Sequence, residues 1–475
     1  MNNYEIIIGV EVHAQLNTKH KIFSPSLVSA TAKPNTNIHP IDLGMPGALP
    51  RFNEEVLKKA IIICEAFNME ITKKMHWDRK HYFYLDNPKG YQITQKETPI
   101  GKNGYIELDS GKKIKIEFMH MEEDTAKSFH TENKTLLDFN RCGTPLVEIV
   151  SAPEIRTPKE AREYLEKLKE ILFFLNVSDC KMEEGSMRVD VNVSVRPYGM
   201  KEFNPKVEIK NLNSFKNVEI AIEKEVEKQI KAYNIGQPVL QATKRFNEQK
   251  NDLDIMRIKE SSVDYRYFPE PDLPFIELTD DYIEELIEKM PLTPNVYREE
   301  LKKIKFNEKE IKTLMNDKTM LEFFFLAYKK GLNPKNMFNY LTVNINEYLN
   351  KNKKELKDFN LSIDDFILLE KKLNNGEISS KHLKVIFPEM LDTGKNIETI
   401  IEEKNLKQIS DPKEIEKFIE KVLTDFPEQL NEYKNGKTAL FKFFLGKIMS
   451  ESKGQINPMM TNKILQEYLD KKVNE

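Results

Sequence analysis

Four segments of the chain place acidic groups where an apolar run would otherwise continue. Glu11 and His13 sit two residues apart in Tyr4-Glu-Ile-Ile-Ile-Gly-Val-Glu-Val-His-Ala-Gln-Leu16, and Asp190 lies in Met187-Arg-Val-Asp-Val-Asn-Val-Ser-Val-Arg196. Glu122, Glu123 and Asp124 close an apolar run that includes Ile114, Ile116 and Phe118, and Glu148 interrupts Leu146, Val147, Ile149 and Val150. A carboxylate in such a setting needs a partner. Either an Arg or Lys neutralises it, or a cation does. Carboxylates converging with an imidazole suit Mg²⁺ or Mn²⁺ before a thiolate-loving metal, and that donor set points to metal-assisted phosphoryl chemistry. A second concentration, residues 78–92, is basic and aromatic. Arg79, Lys80 and Lys89 could hold phosphate while Tyr82, Tyr84 and Tyr91 shape a pocket; the alternative is sheet tyrosines with lysines in solvent.

The positioning elements follow from periodicity. Strict alternation sends Ile6, Ile8, Val10 and Val12 to one face of a strand and Glu11, His13 and Gln15 to the other. In the 187–196 run the valines face inward, while Arg188, Asp190, Asn192, Ser194 and Arg196 share the opposite face. Two such strands could floor a polar cleft, although a solvated outer face is common in antiparallel sheets. Thr157-Pro-Lys-Glu160 reads as a capping box with Pro at the first helical position, opening a helix with Leu165, Leu168, Leu172 and Leu175 on one stripe. A second helix starts near Ser214, carries Val218, Ile222 and Val226, and stops near Gly236.

At 475 residues and 39% hydrophobic content the chain can bury real cores, with two to four domains expected. A formal net charge of −3 leaves any nucleic-acid contact to a local patch. Cys64, Cys142 and Cys180 form no CxxC pair, which suits a reducing cytosol, and no run approaches membrane-spanning length. A soluble cytoplasmic protein is expected. Residues 1 to about 290 mix strand and helix patterns; beyond Pro291 and Pro294 the pattern is helical, with a second break around Ser410-Asp-Pro412. Gly436-Lys437-Thr438 lacks the first glycine and the leading strand of a P-loop. Neither GxGxxG nor GxSxG occurs in a supporting context.

Together, Gly9-Val-Glu-Val-His13, Pro46-Gly-Ala-Leu-Pro50, Lys89-Gly-Tyr-Gln92, His120-Met-Glu-Glu-Asp124, Glu208-Ile-Lys-Asn-Leu-Asn-Ser-Phe215 and Asp264-Tyr-Arg-Tyr-Phe-Pro-Glu-Pro-Asp-Leu-Pro274 resemble the B subunits of GatCAB tRNA-dependent amidotransferases. The resemblance covers the whole chain, because Lys453-Gly-Gln-Ile-Asn-Pro458 is similar to the family's tail. It implies an α+β molecule in three parts: a glutamine synthetase-like catalytic cradle with an antiparallel sheet over 1–290, an all-α domain over 291–409, and a YqeY-like tRNA-binding tail over 410–475.

The resemblance also implies a carbon–nitrogen ligase that takes its amide nitrogen from glutamine. ATP phosphorylates the side-chain carboxylate of Glu or Asp mischarged on tRNA(Gln) or tRNA(Asn), and ammonia displaces phosphate. A glutaminase A subunit and a small C subunit complete a heterotrimer. By matching position, Glu11, His13, Glu123 and Glu148 resemble the Mg²⁺ ligands, with Glu122, Asp124 and Asp190 as further candidates. Arg79, Lys80, Tyr82, Lys89, Tyr91 and Arg188 are candidates for the ATP and substrate pocket. Lys437, Lys442, Lys447 and Lys453 are candidates for tRNA contacts, in a stretch with six lysines and one acid between Lys434 and Lys463. Where some members carry zinc-binding cysteines, this chain has Ser24, Ser26, His39 and Asp42, a poor zinc site; none is expected. The rival reading is a non-catalytic tRNA-docking scaffold, which would tolerate neutralisation of the carboxylates.

Overall fold

The computed structural model describes residues 3–29, 31–258, 264–452 and 455–474. The chain divides between Tyr297 and Arg298 into two compact units. The first is mixed α and β; the second is helical. The division expected at 410 falls inside the second unit.

In the first unit the strands are β1 (Tyr4–Gln15), β2 (Glu70–Ile71), β3 (Lys74–Met75), β4 (Asp78–His81), β5 (Tyr91–Thr94), β6 (Gly101–Glu107), β7 (Lys113–Glu123), β8 (Lys127–His130), β9 (Thr135–Asp138), β10 (Pro145–Ser151), β11 (Met187–Pro197), β12 (Val207–Lys210), β13 (Ala242–Asn247), β14 (Asp252–Ile258), β15 (Phe268–Pro269) and β16 (Ile276–Glu277). Nine of them form one sheet in the order β14-β13-β12-β11-β1-β10-β7-β6-β2. Its neighbours are antiparallel except β12 and β13, which run parallel. That exception departs from the all-antiparallel expectation and has a plain cause: α3 (Phe215–Asn234) lies in the connection, and a parallel pair needs such a crossover. β15, β4 and β5 make a separate three-stranded sheet.

Alternation on β1 and β11 resolves as two faces. Ile8, Val10, Val12, Val189, Val191, Val193 and Val195 enter one core together with Leu165, Leu168 and Leu172 of α2 (Pro158–Phe174) and Val218, Ile222 and Val226 of α3. Helix α1 (Glu54–Ala66) adds Val56, Ala60 and Ile61 to that core. Burying each such aliphatic side chain contributes about 1.5–3 kcal/mol, which fixes the register and commits the other face to polar residues. Thr157 caps α2 by accepting from Glu160 N at 3.1 Å. The expected reciprocal bond is absent: the Glu160 carboxylate accepts from Arg156 N at 2.9 Å, one residue earlier. Ser214 caps α3, and Gly236 ends it at φ +71°, a left-handed conformation that costs glycine little.

At one edge of the sheet β14 has no further strand beyond it among the described residues, and Ile255, Met256 and Ile258 are exposed there. In the second unit, Ile415, Ile419, Val422, Phe444, Ile448 and Leu465 belong to one core shared by the helices Pro412–Asp425, Leu440–Glu451 and Pro458–Asn474. No helix among the described residues is long and apolar enough to cross a membrane.

Candidate active site

The sheet register builds the site. Cross-strand pairing sets His13 beside Arg188 on one side and Glu148 on the other, and Glu148 beside His120. Four polar residues from β11, β1, β10 and β7 thus occupy one rung. Glu11 and Glu122 stand two residues along their strands from His13 and His120, on the same face. Glu11, His13, Glu122 and Glu148 floor a cleft of about 870 Å³, which Lys80, Tyr82, Asp124, Arg188 and Asp190 also line, and the buried His120 adjoins Glu148.

His13 Nε2 lies 3.5 Å from Glu148 Oε2 and 3.6 Å from Glu122 Oε2, and its Nδ1 lies 4.0 Å from Glu11 Oε1. His120 Nε2 is 3.0 Å from Glu148 Oε2, yet it is buried and makes no hydrogen bond, so the contact is badly aligned. Glu122 is 1% exposed and held on both oxygens, by Gln92 Nε2 at 3.0 Å and Thr94 Oγ1 at 2.8 Å. The Thr94 hydroxyl has one proton, so donating to Glu122 leaves it an acceptor for His120 Nδ1 at 3.0 Å.

Burial opposes charge on His13, but the Glu122 and Glu148 carboxylates outweigh it and raise the imidazole pKa to about 10. Burial opposes charge on His120 too, and Glu148 foremost reverses it. Glu148 is held well below the carboxylate range despite burial, by His120 and then His13. Glu11 rises to about 7 through burial first and the Glu148 charge second. The imidazoles and the Glu148 carboxylate therefore favour one another's charged forms.

These residues fit a divalent cation. Ligand atoms of Glu11, His13 and Glu148, and again of His120, Glu122 and Glu148, lie within 4.8 Å of one another. The buried Nε2 of His120 lacks a bond that a cation would supply. The donors are oxygen and imidazole nitrogen, the set suited to Mg²⁺ or Mn²⁺.

Residues 6–284 match the family described as GatB/GatE catalytic domain, and residues 322–469 match the one described as GatB domain. The B subunit of the aspartyl/glutamyl-tRNA(Asn/Gln) amidotransferase of Geobacillus thermodenitrificans is 45% identical over 475 residues, covering 99% of this chain and all of the relative. The B subunit of the same amidotransferase from Staphylococcus haemolyticus is 44% identical over 474 residues, with the same coverage. The chain belongs to the GatB family.

Several candidates in this GatB-family chain stand elsewhere than expected. Glu123 is not brought to the cluster. It shares strand parity with the buried Met119 and Met121, so its carboxylate turns to the other face, where it binds Lys89 Nζ and accepts from Ile93 N at 2.9 Å. Lys89 is consumed by that pair. Arg79 alternates with Lys80 on β4 and turns from the cleft into an ion pair with Glu270, Nε–Oε2 2.6 Å and Nη2–Oε1 2.9 Å. Its guanidinium covers Tyr91 at 4.3 Å, which occupies that ring as well. Asp124 lines the cleft but is matched by Arg188 at 3.1 Å and Arg141 at 3.6 Å; Asp190 is paired with Lys210. Lys80, half-buried and raised in pKa by the Glu122 and Glu148 charges against desolvation, stays a cation on the wall of the same cleft. His120, Gln92 and Thr94 were not anticipated as site residues, although period-two spacing from Glu122 leads directly back to His120.

At the position of the absent cysteines, Asp42 Oδ2 accepts from Lys21 Nζ and from His39 N, each at 2.9 Å. Both partners of this ion pair are buried, so the loop is organised around it. In the tail, Lys437 pairs with Glu432 at 2.8 Å, Lys447 sits over the Phe426 ring at 5.0 Å, and Lys442 is exposed. Lys453 lies outside the described residues.

Proposed function

We propose that this chain is the amide-forming subunit of a tRNA-dependent amidotransferase. It converts Glu on tRNA(Gln), Asp on tRNA(Asn), or both, to the amides, in a complex with a glutaminase A subunit and a small C subunit. The observation that carries this reading is the convergence of Glu11, His13, Glu122 and Glu148 on the floor of one cleft, with the buried His120 against Glu148. A docking scaffold has no use for so many desolvated ionisable groups, which are costly unless they hold something.

A carboxylate resists nucleophiles because of its charge, and phosphorylation by ATP turns its oxygen into a leaving group. Glu11, His13 and Glu148, with His120 and Glu122 beside them, would hold the divalent cation; Glu122 takes the place first given to Glu123. When bound, that cation supplies charge neutralisation for transfer of the γ-phosphoryl group. Lys80 and Arg188 line the same cleft and offset charge on phosphate and substrate. Gln92 and Thr94 keep Glu122 aimed at the cluster. Ammonia then attacks the acyl phosphate inside the cleft, away from competing bulk water.

We assign the first unit to a glutamine synthetase-like cradle, and the tail from residue 410 to a YqeY-like module that contacts the tRNA body through Lys442 and its neighbours. No zinc is assigned, since Lys21 and Asp42 fill that role. The test is direct: incubate the three-subunit complex with mischarged tRNA, ATP and glutamine, then identify the amino acid released from the tRNA. Recovery of Gln or Asn supports the reading, and unchanged Glu and Asp refute it.

A further inference from the structure

The tail carries a core of its own. Its hydrophobic residues, from Ile415 to Leu469, all belong to the tail, and among the described residues none before Ile415 is part of it. The bonds that join the tail to the preceding helices are polar. Ile409 N donates to Gln455 O at 2.7 Å and Asn457 N to Ile409 O at 3.0 Å, across a parallel bridge between Ile409 and Ile456, while Gln408 N donates to Glu377 O at 2.7 Å. Residues 408 and 409 are thus laced on one side to the turn after the helix Ile363–Asn374 and on the other to the turn before the helix Pro458–Asn474.

Asn457 closes this junction. It is 3% exposed, and both ends of its side-chain amide are engaged. Oδ1 accepts from Met459 N at 3.0 Å and from Met460 N at 3.2 Å, which caps the helix Pro458–Asn474. Nδ2 therefore faces away from that helix, and it donates to Gly376 O at 3.0 Å and to Ser410 Oγ at 3.4 Å. Gly376 suits the approach for two reasons. Its φ is +69°, and its N–H closes the end of the helix Ile363–Asn374 on Leu373 O at 3.1 Å. A Cβ there would also collide with Asn457 Nδ2 and sit 3.1 Å from Asn457 Cγ. The end of one helix and the start of another thus meet through a single side chain.

We propose that Asn457 and Gly376 are positioning residues for tRNA: their bond latches the tail to the helices before it, so that Lys442 and its neighbours are presented to the tRNA body in one orientation. The inference rests on the reading that the tail holds tRNA. A module with a separate core keeps its fold when the latch opens, and what changes is its orientation. Binding to a module that is free to swing costs the entropy of ordering it, whereas a closed latch removes that cost in advance. The effect therefore belongs to tRNA affinity and not to phosphoryl transfer.

Asn457→Asp separates the two tasks of the side chain: a carboxylate still caps the helix, but it cannot donate to Gly376 O and sets one acceptor against another. Gly376→Ala opens the same contact from the other side. In the three-subunit enzyme each variant is expected to raise KM for mischarged tRNA about tenfold, the worth of one or two hydrogen bonds, with kcat within about twofold of wild type. Hydrogen exchange should quicken about tenfold at the amides of Gln408, Ile409 and Asn457, while those of Ile419 and Ile448 in the tail core stay protected and report that the tail is folded. Wild-type KM in an Asn457→Asp enzyme whose junction exchanges faster would overturn the positioning role, and unchanged exchange at the junction in both variants would overturn the latch. If deleting residues 410–475 leaves KM unchanged, the tail's part in holding tRNA fails instead; exchange is measured without tRNA and still decides the latch.

Discussion

Glu148 is shared by both ligand groups, whereas Glu123, which follows Glu122 directly in the chain but turns to the opposite face, serves a lysine. The two should therefore fail differently. Glu148→Gln is expected to lower amidation by at least about a hundredfold and to weaken Mn²⁺ binding, because one anionic ligand is removed from a site on which phosphoryl transfer depends. Glu123→Gln is expected to leave Mn²⁺ affinity unchanged and to cost about 3 kcal/mol in denaturant unfolding, the penalty for stranding the buried Lys89 charge. Equal loss of metal binding in both variants would break the assignment. The cysteines belong to this scale too. Burial pushes the Cys142 thiol up to about 12 and the Cys180 thiol to about 11, and raises Cys64 further. A thiol so far from ionisation is no nucleophile. The chain alone should release no ammonia from glutamine, as a coupled glutamate assay would check; adding the A and C subunits should restore glutamine use.

At the level of elements, the strands were legible and their neighbours were not. Alternation of Ile8, Val10 and Val12 against Glu11 and His13 is written in the local order of residues, as are the caps at Thr157 and Ser214. That His13 stands between Arg188 and Glu148 depends on which strands pair and in what register, and no local pattern states it. The same limit explains Glu122 and Glu123. Both follow an apolar run, and only the parity of β7, anchored by Met119 and Met121 in the core, decides which one faces His120. The loop around Lys21 makes a testable element. Its buried pair predicts that Asp42→Asn costs about 3–5 kcal/mol in urea unfolding, while a zinc-selective chelator, added with Mg²⁺ in excess, leaves the melting temperature of the wild type unchanged. A fall in melting temperature on chelation would instead point to a structural metal.

For the whole molecule, the functional reading requires one end of the chain to hold the body of a tRNA while the other acts on its aminoacyl group. Deleting residues 410–475 should weaken tRNA binding with the chemistry otherwise intact. Lys442 is exposed, whereas Lys437 is paired and Lys447 lies on an aromatic face, so Lys442→Ala should have the largest effect of the three. The slope of log affinity against log salt should flatten by about 0.7–0.9 for each phosphate no longer neutralised; an unchanged slope would refute the tail's role.

The open edge of the nine-stranded sheet bears on how the protein can be handled. Among the described residues, β14 offers an edge with no further strand beside the exposed Ile255, Met256 and Ile258, the combination through which strands of separate molecules add to one another. Expressed without its partners, the chain should form soluble oligomers that grow with concentration, and Ile255→Lys should return it to a monomer in sedimentation. The yield of the purified protein would then be set by that one strand rather than by the stability of its fold.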